Sequence, residues 1–110
     1  MKSELQLLLE AKAKIFKALG HPARLHIVEL LSKEEKCVCE LRDAVGSDIS
    51  TVSRHLSVLK NANIVVDEKR SNQVYYSLKI PCVLNFLPCV ETMLREVSMQ
   101  EQRWLKEQPG

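Results

Sequence analysis

The sequence predicts a mainly α-helical domain with one small β-hairpin, arranged as a winged helix-turn-helix. Three observations carry that expectation. The segment Ser50-Thr51-Val52-Ser53-Arg54-His55-Leu56-Ser57-Val58-Leu59-Lys60 has helical apolar spacing on one side, and small hydroxyls with one Arg on the other. A short helical segment ended by Gly46 stands just ahead of it. Two runs rich in β-branched and aromatic residues follow it, Ile64-Val65-Val66 and Val74-Tyr75-Tyr76-Ser77-Leu78. A chain of 110 residues suits a single domain, 1–110, around one modest core.

The first helix is read over Ser3 to Leu19. Ser3 suits the N-cap, and apolar residues recur at Leu5, Leu8, Leu9, Ile15, Phe16 and Leu19. Gly20 suits the position just past its end. Pro22 opens a second helix that runs to Leu31 and buries Leu25, Val28 and either Leu30 or Leu31. Ser32-Lys33-Glu34-Glu35-Lys36 is a charged connector. The third helix spans about Val38 to Val45. Ser47 or Asp48 caps the fourth, which runs to about Asn61 and turns Ile49, Val52, Leu56 and Leu59 inward. The hairpin tip is read as Asp67 to Gln73, with Asn72 best able to take positive φ. From about Pro81 to Gln108 the chain is mostly one more helix, its apolar stripe at Val90, Met93, Leu94, Val97 and Trp104.

In these terms 38–61 is the helix-turn-helix and 63–79 the wing. The flanks, 1–20 and 81–108, are dimerisation helices. The central helices and hairpin close on themselves, which leaves apolar faces on the first and last helices. A second copy buries those faces, so a homodimer is expected, with Trp104 packing at its interface. Packing of both helices on their own domain is the plainer alternative.

The outer face of the fourth helix is rich in short hydroxyls, which let a backbone approach phosphates and base edges. The net charge of +2 argues little by itself. Distribution says more. From Ser50 to Lys79 five cations stand against the carboxylates Asp67 and Glu68. The expected DNA contacts are Ser50, Thr51, Ser53, Arg54, His55, Ser57 and Lys60 on the helix, with Lys69, Arg70 and Asn72 on the wing. A two-fold pair of such readers matches a palindromic double-stranded operator. A solvated face with a slight basic excess is the bland reading. His21 is expected at a helix start, and His26 as a partly buried side chain.

Other classes find little support. Apolar residues make up 45% and charged residues 27% of the chain, ordinary for a globular protein. No apolar stretch approaches the ~20 residues of a membrane span. The Leu7-Leu8-Leu9 run is broken at once by Glu10, Lys12 and Lys14, unlike a signal peptide. A cytoplasmic protein without membrane contact is expected. No Gly-rich phosphate loop or convincing Cys/His/carboxylate arrangement supports an enzyme.

Four cysteines in such a protein are thiols rather than structural disulfides. Cys37 and Cys39 stand at the entrance of the third helix. In a regular helix, residues two apart point ~200° apart. They face the same way only where the first turn is extended. An ion held by both thiols therefore distorts that entrance, and the third helix passes the distortion to the fourth. A helix N-terminus favours the thiolate; Lys33 and Lys36 support it, while Glu34, Glu35 and Glu40 oppose it. A trivalent soft ion wants a third thiolate, and Cys82 and Cys89 are the candidates. They lie ~10.5 Å apart along a helix axis, so one regular helix cannot bring both to one ion. Pro88 leaves two arrangements open: a helix start near Asn85 with Cys82 in the preceding loop, or a kink. Burial of Cys82 and Cys89 as small apolar residues is the bland reading.

These residues resemble the ArsR/SmtB family of bacterial winged-helix metalloregulators. The resemblance rests on Lys17-Ala18-Leu19-Gly20-His21-Pro22-Ala23-Arg24-Leu25, on Cys37-Val38-Cys39-Glu40-Leu41, on Ser50-Thr51-Val52-Ser53-Arg54-His55-Leu56 and on Val74-Tyr75-Tyr76-Ser77-Leu78. It covers about Ala13 to Leu78 strongly and the flanks loosely. It implies a dimeric repressor that sits on its own operator and leaves when an inducer binds. The arsenic-sensing branch carries Cys-Val-Cys here, often with a third cysteine three residues on; this chain has Arg42 instead. The resemblance thus implies Cys37 and Cys39 as metal ligands, with As(III) or Sb(III) as inducer and no cofactor needed for DNA binding; Cys82 or Cys89, of either protomer, is left to complete the set. Cd(II), Pb(II), Zn(II), or an oxidant or reactive sulfur species acting on the thiols, are the alternative inputs. The family's other zinc site uses His and carboxylates on the last helix. This chain has no His beyond His55, so that site is expected to be absent.

Overall fold

Three of the helices begin behind a side chain that accepts one of their free N–H groups. The computed structural model describes residues 1–79 and 81–106, the side chains of 83 and 98–106 excepted. Helix α1 (Glu4–Leu19) starts behind Ser3, whose hydroxyl accepts the Gln6 backbone N–H at 3.2 Å. Only its end is buried, through Ala18 and Leu19. Leu5, Leu7, Leu8 and Leu9 keep 52–65% of their surface exposed. Gly20 follows at φ −79°, outside the left-handed region usual for such a residue. A Cβ there would lie 3.3 Å from the Phe16 carbonyl oxygen, a tighter approach than ordinary contact.

Helix α2 (Pro22–Leu31) is capped by His21, whose Nδ1 accepts the Ala23 N–H at 3.1 Å. Its inward face is Ile27, Val28 and Leu31, with Leu25 and Leu30 half-buried beside it. Because Ile27 and Val28 point inward, His26 is exposed and not partly buried as expected. The charged connector then leads into a strand the sequence did not announce, β1 (Lys36–Cys37). Helix α3 (Val38–Val45) starts on Cys37 and ends at Gly46, which takes φ 78° and donates its N–H to the Arg42 carbonyl at 2.9 Å. Helix α4 (Ile49–Asn61) starts on Asp48, which accepts the Thr51 N–H at 2.7 Å. Val52, Leu56 and Leu59 face the core; Ile49, in the first turn and ahead of the buried stretch, stays 43% exposed instead of turning inward.

Asn63, at φ 62°, turns the chain from α4 into the wing. The wing is β2 (Val65–Arg70) and β3 (Gln73–Leu78), both longer at the tip than expected, so the tip shrinks to Ser71-Asn72. Positive φ falls on Ser71 (55°), not on Asn72. All pairs are antiparallel in the order β1-β3-β2, with Cys37 opposite Tyr75 and Arg70 opposite Gln73. A 3₁₀ turn (Pro81–Leu84) precedes α5 (Leu87–Lys106). The core lies between α2, α3, α4 and the base of the wing, with Ile27, Val28, Leu41, Val52, Leu56, Leu59 and Val65 fully buried. Phe16 and Phe86, ring centroids 5.5 Å apart, tie α1 to the turn before α5. On α5, Met93, Leu94 and Val97 are exposed; the expected packing of Trp104 lies outside the described residues. Among the described residues, no helix is long and apolar enough to cross a membrane.

Candidate nucleic-acid interface and thiol site

Burial of Val52, Leu56 and Leu59 fixes which side of α4 faces out. That side presents Ser50, Ser53, Arg54 and Ser57, all exposed, with Thr51 half-buried; α4 contains no Asp or Glu. Arg54 makes no ion pair among the described residues. At the helix start the Asp48 carboxylate is held below the usual range, chiefly by the Thr51 backbone N–H. The arrangement is a helix whose outward surface carries hydroxyl donors and a free guanidinium.

His55 departs from the expected outward face. It is half-buried, its ring centroid 4.5 Å from that of His21 and its Nδ1 3.2 Å from Arg24 Nη1. Desolvation first, then His21, Arg24 and Arg54, hold its pKa below the ordinary value. Arg24, which sequence reasoning passed over, also donates through Nε to the Ala18 carbonyl at 2.5 Å. It thereby links the end of α1, the start of α2 and α4.

On the wing, Lys69 is exposed and unpaired among the described residues, and Asn72 is exposed at the tip. Arg70, expected to be free for phosphate, is instead clasped. Both of its terminal nitrogens donate to the Glu35 carboxylate, and Nη2 also meets Glu68 Oε2 at 2.9 Å. Its Cζ lies 5.0 Å from the Tyr75 ring centroid. These carboxylates, Glu35 foremost, push its pKa further up. Lys60 on α4 pairs with Asp67 on β2 at 3.0 Å. The Glu35–Arg70 clasp left no trace in the sequence, because both residues read as ordinary members of charged runs.

The thiols divide. Cys37 is buried, at 6% exposure. It lies in the sheet, paired in register with Tyr75 of β3. Cys39 is exposed in the first turn of α3. Cys37 has extended backbone (φ −79°, ψ 163°) and is the N-cap of α3; its N–H donates to Glu40 Oε1 at 3.0 Å. That hydrogen bond is the main reason the Glu40 carboxyl titrates below its usual range. Cys82 lies in the 3₁₀ turn ahead of α5, so Pro88 sits in the first turn of α5 and no kink is needed. Cys82 and Cys89 are both exposed, which overturns their reading as buried apolar residues within one protomer. Among the described residues, no group of three or more His, Cys, Asp or Glu side chains is placed to hold a metal.

A wing joined to an acid-free outward helix over a three-helix core defines a winged helix-turn-helix DNA-binding protein. The model of the bacterial regulatory protein arsR family matches residues 21–66. The HTH-type transcriptional regulator Rv0081 of Mycobacterium tuberculosis, itself uncharacterised, is 36% identical over 91 residues, which span 82% of this chain and 80% of the relative. The crystal structure of Rv0081 matches with a TM-score of 0.74 at 34% identity, over 91% of this chain and 98% of that one. The arsenic resistance transcriptional regulator ArsR1 of Pseudomonas putida is 37% identical over 92 residues, 83% of this chain and 69% of the relative. The homodimeric winged helix-turn-helix DNA-binding domain of Mb0332 from Mycobacterium bovis matches with a TM-score of 0.77 at 25% identity, over 89% of this chain and 92% of that one. The chain belongs to the ArsR family of transcriptional regulators.

Proposed function

We propose that this regulator is a cytoplasmic homodimeric repressor that leaves a palindromic operator when a thiophilic metalloid, As(III) or Sb(III), engages Cys37 and Cys39. One observation carries the reading: Cys37 is at once the last residue of β1 and the N-cap of α3. Its side chain is covered, while that of Cys39 is in solvent. Both thiols serve one ion only if Cys37 leaves its covered position. That movement releases β1 from β3 and frees the start of α3, which packs against α4. The reading face and the wing are then disturbed by one event. A coupling of about 1–3 kcal/mol between inducer and operator suffices for such a switch. Two soft donors at one helix entrance suit a thiophilic ion, and Cys82 or Cys89, of the same protomer or its partner, supplies the third thiolate. DNA is held by Ser50, Thr51, Ser53, Arg54, Ser57, Lys69 and Asn72, with Lys60, Arg70 and His55 in support.

Thiol oxidation or reactive sulfur is the second reading. It is favoured by the exposure of Cys39, Cys82 and Cys89, each free, without a three-ligand cluster among the described residues.

The test is binding to the DNA upstream of the protein's own gene, with and without As(III), for the parent, Cys37→Ser and Cys39→Ser. The parent is expected to release the DNA and both variants to stay bound. Release by both variants places the sensor elsewhere. Mass measurement of peroxide- or persulfide-treated protein, scored as loss of two hydrogens or gain of sulfur, identifies the second reading. Parallel titrations with Cd(II), Pb(II) and Zn(II) identify a divalent inducer.

A further inference from the structure

We propose that a groove between α1, the start of α2 and the end of α4 is a second phosphate site, which holds the DNA backbone beyond the recognition helix. This rests on the reading of α4 as the DNA-facing helix. The groove, of about 450 Å³, is lined by Lys14, Lys17, Arg24, Val58 and Asn61 over a floor of small alanines. Three cations meet there with no carboxylate in the lining. Lys14 and Lys17 have no ion pair among the described residues, whereas Lys2, Lys36, Lys60 and Arg70 all do. Lys14 and Lys17 are thus open to an anion, as Arg54 is on α4 and Lys69 on the wing.

Arg24 is held in advance. Its Nε is bonded to the Ala18 carbonyl and its Nη1 faces His55, so an incoming anion meets an already ordered guanidinium. The groove also continues the reading face. Val58, 39% exposed, lies one helical turn beyond Arg54, and Asn61 one turn beyond Ser57. The basic strip runs on: a neighbouring groove is lined by Lys12 and Lys14 with Asn61 and Asn63. A shallow strip that shares Lys14 between two grooves follows a linear polyanion better than it encloses one compact ion. That favours phosphodiester backbone over a free phosphate.

The salt dependence of binding to mixed-sequence duplex DNA tests the site, since each lost phosphate contact lowers the log–log slope by about 0.9. Lys14→Gln with Lys17→Gln is expected to flatten the slope by about 1.8 per bound protomer, equally on any sequence, and Lys→Arg at both positions to restore it. Lys33→Gln, which removes one charge from the turn after α2, is expected to leave the slope in place. An unchanged slope in the double Gln variant overturns the proposal, as does an equal per-charge loss for Lys33→Gln, which would report net charge alone. Thermal stabilisation by inorganic phosphate that vanishes in the double variant while the DNA slope stays intact also overturns it, and gives the groove to a free anion. Arg54→Ala is the separate control. If it binds DNA as well as the parent, the reading of α4 fails; if it weakens binding while the lysine variant changes nothing, only the second site fails.

Discussion

The His55 imidazole is pinned between His21 and Arg24, which ties its charge to folding. Its folded pKa lies below the ordinary value, with burial the first cause. The unfolded chain therefore takes up this proton more readily than the folded one. The stability that depends on a neutral His55 is whole above about pH 6.5 and is lost as pH falls from there toward the lowered folded value. His55→Gln is expected to melt with a shallower decline than the parent in that acid window, and parallel melting curves would contradict the coupling. At this scale the sequence was legible where chemistry sits on a periodic face. Ser50, Ser53, Arg54 and Ser57 are all exposed on α4 as expected. It was not legible where a side chain finds a partner far along the chain, as His55 does with Arg24 and Arg70 does with Glu35. No local pattern distinguishes a clasped Arg70 from a free one.

Among the elements, α3 stands on very little. Leu41 is its one buried residue among those described, and the helix is otherwise held by its ends. Leu41→Ala is expected to cost about 2–5 kcal/mol, read as a lower urea midpoint with an unchanged slope. A cost near zero would mean that α3 does not transmit force to α4 through its packing. The helix bounds were readable because their punctuation is chemical: Ser3, Pro22, Gly46 and Asp48 each stand where an end needs them. The strands were harder. β1 has two residues, too few for any alternation to show. β2 hid its length behind Asp67-Glu68-Lys69-Arg70 because it is an edge strand, wet beyond Val65, where charge is tolerated and discourages stray pairing.

The whole molecule is more open than its length requires. Its radius of gyration is 17.0 Å, against about 13 Å for a compact domain of ~100 residues. Both flanking helices present unpartnered apolar side chains, Leu5, Leu8 and Leu9 on α1 and Met93, Leu94 and Val97 on α5. In the proposed homodimer a second copy covers both. Leu8→Glu combined with Leu94→Glu is expected to sediment as a monomer and to lose most of its affinity for a two-half-site operator. A variant that still sediments as a dimer would place the interface elsewhere. The winged architecture was readable from the chain alone because each of its parts has a local signature. The split between a hidden and an open thiol was not, since Cys37 lies in a two-residue strand whose pairing partner, Tyr75, is far along the chain.

That split gives the proposed switch a sense of time. In that switch Cys39 is open to a reagent at once, whereas Cys37, buried beside β3, waits on the opening of a two-residue strand. A momentary pulse of toxicant therefore passes over a half-armed protein without consequence. Sustained exposure outlasts the waiting time between openings and registers, so the fold works as a low-pass filter on its chemical input.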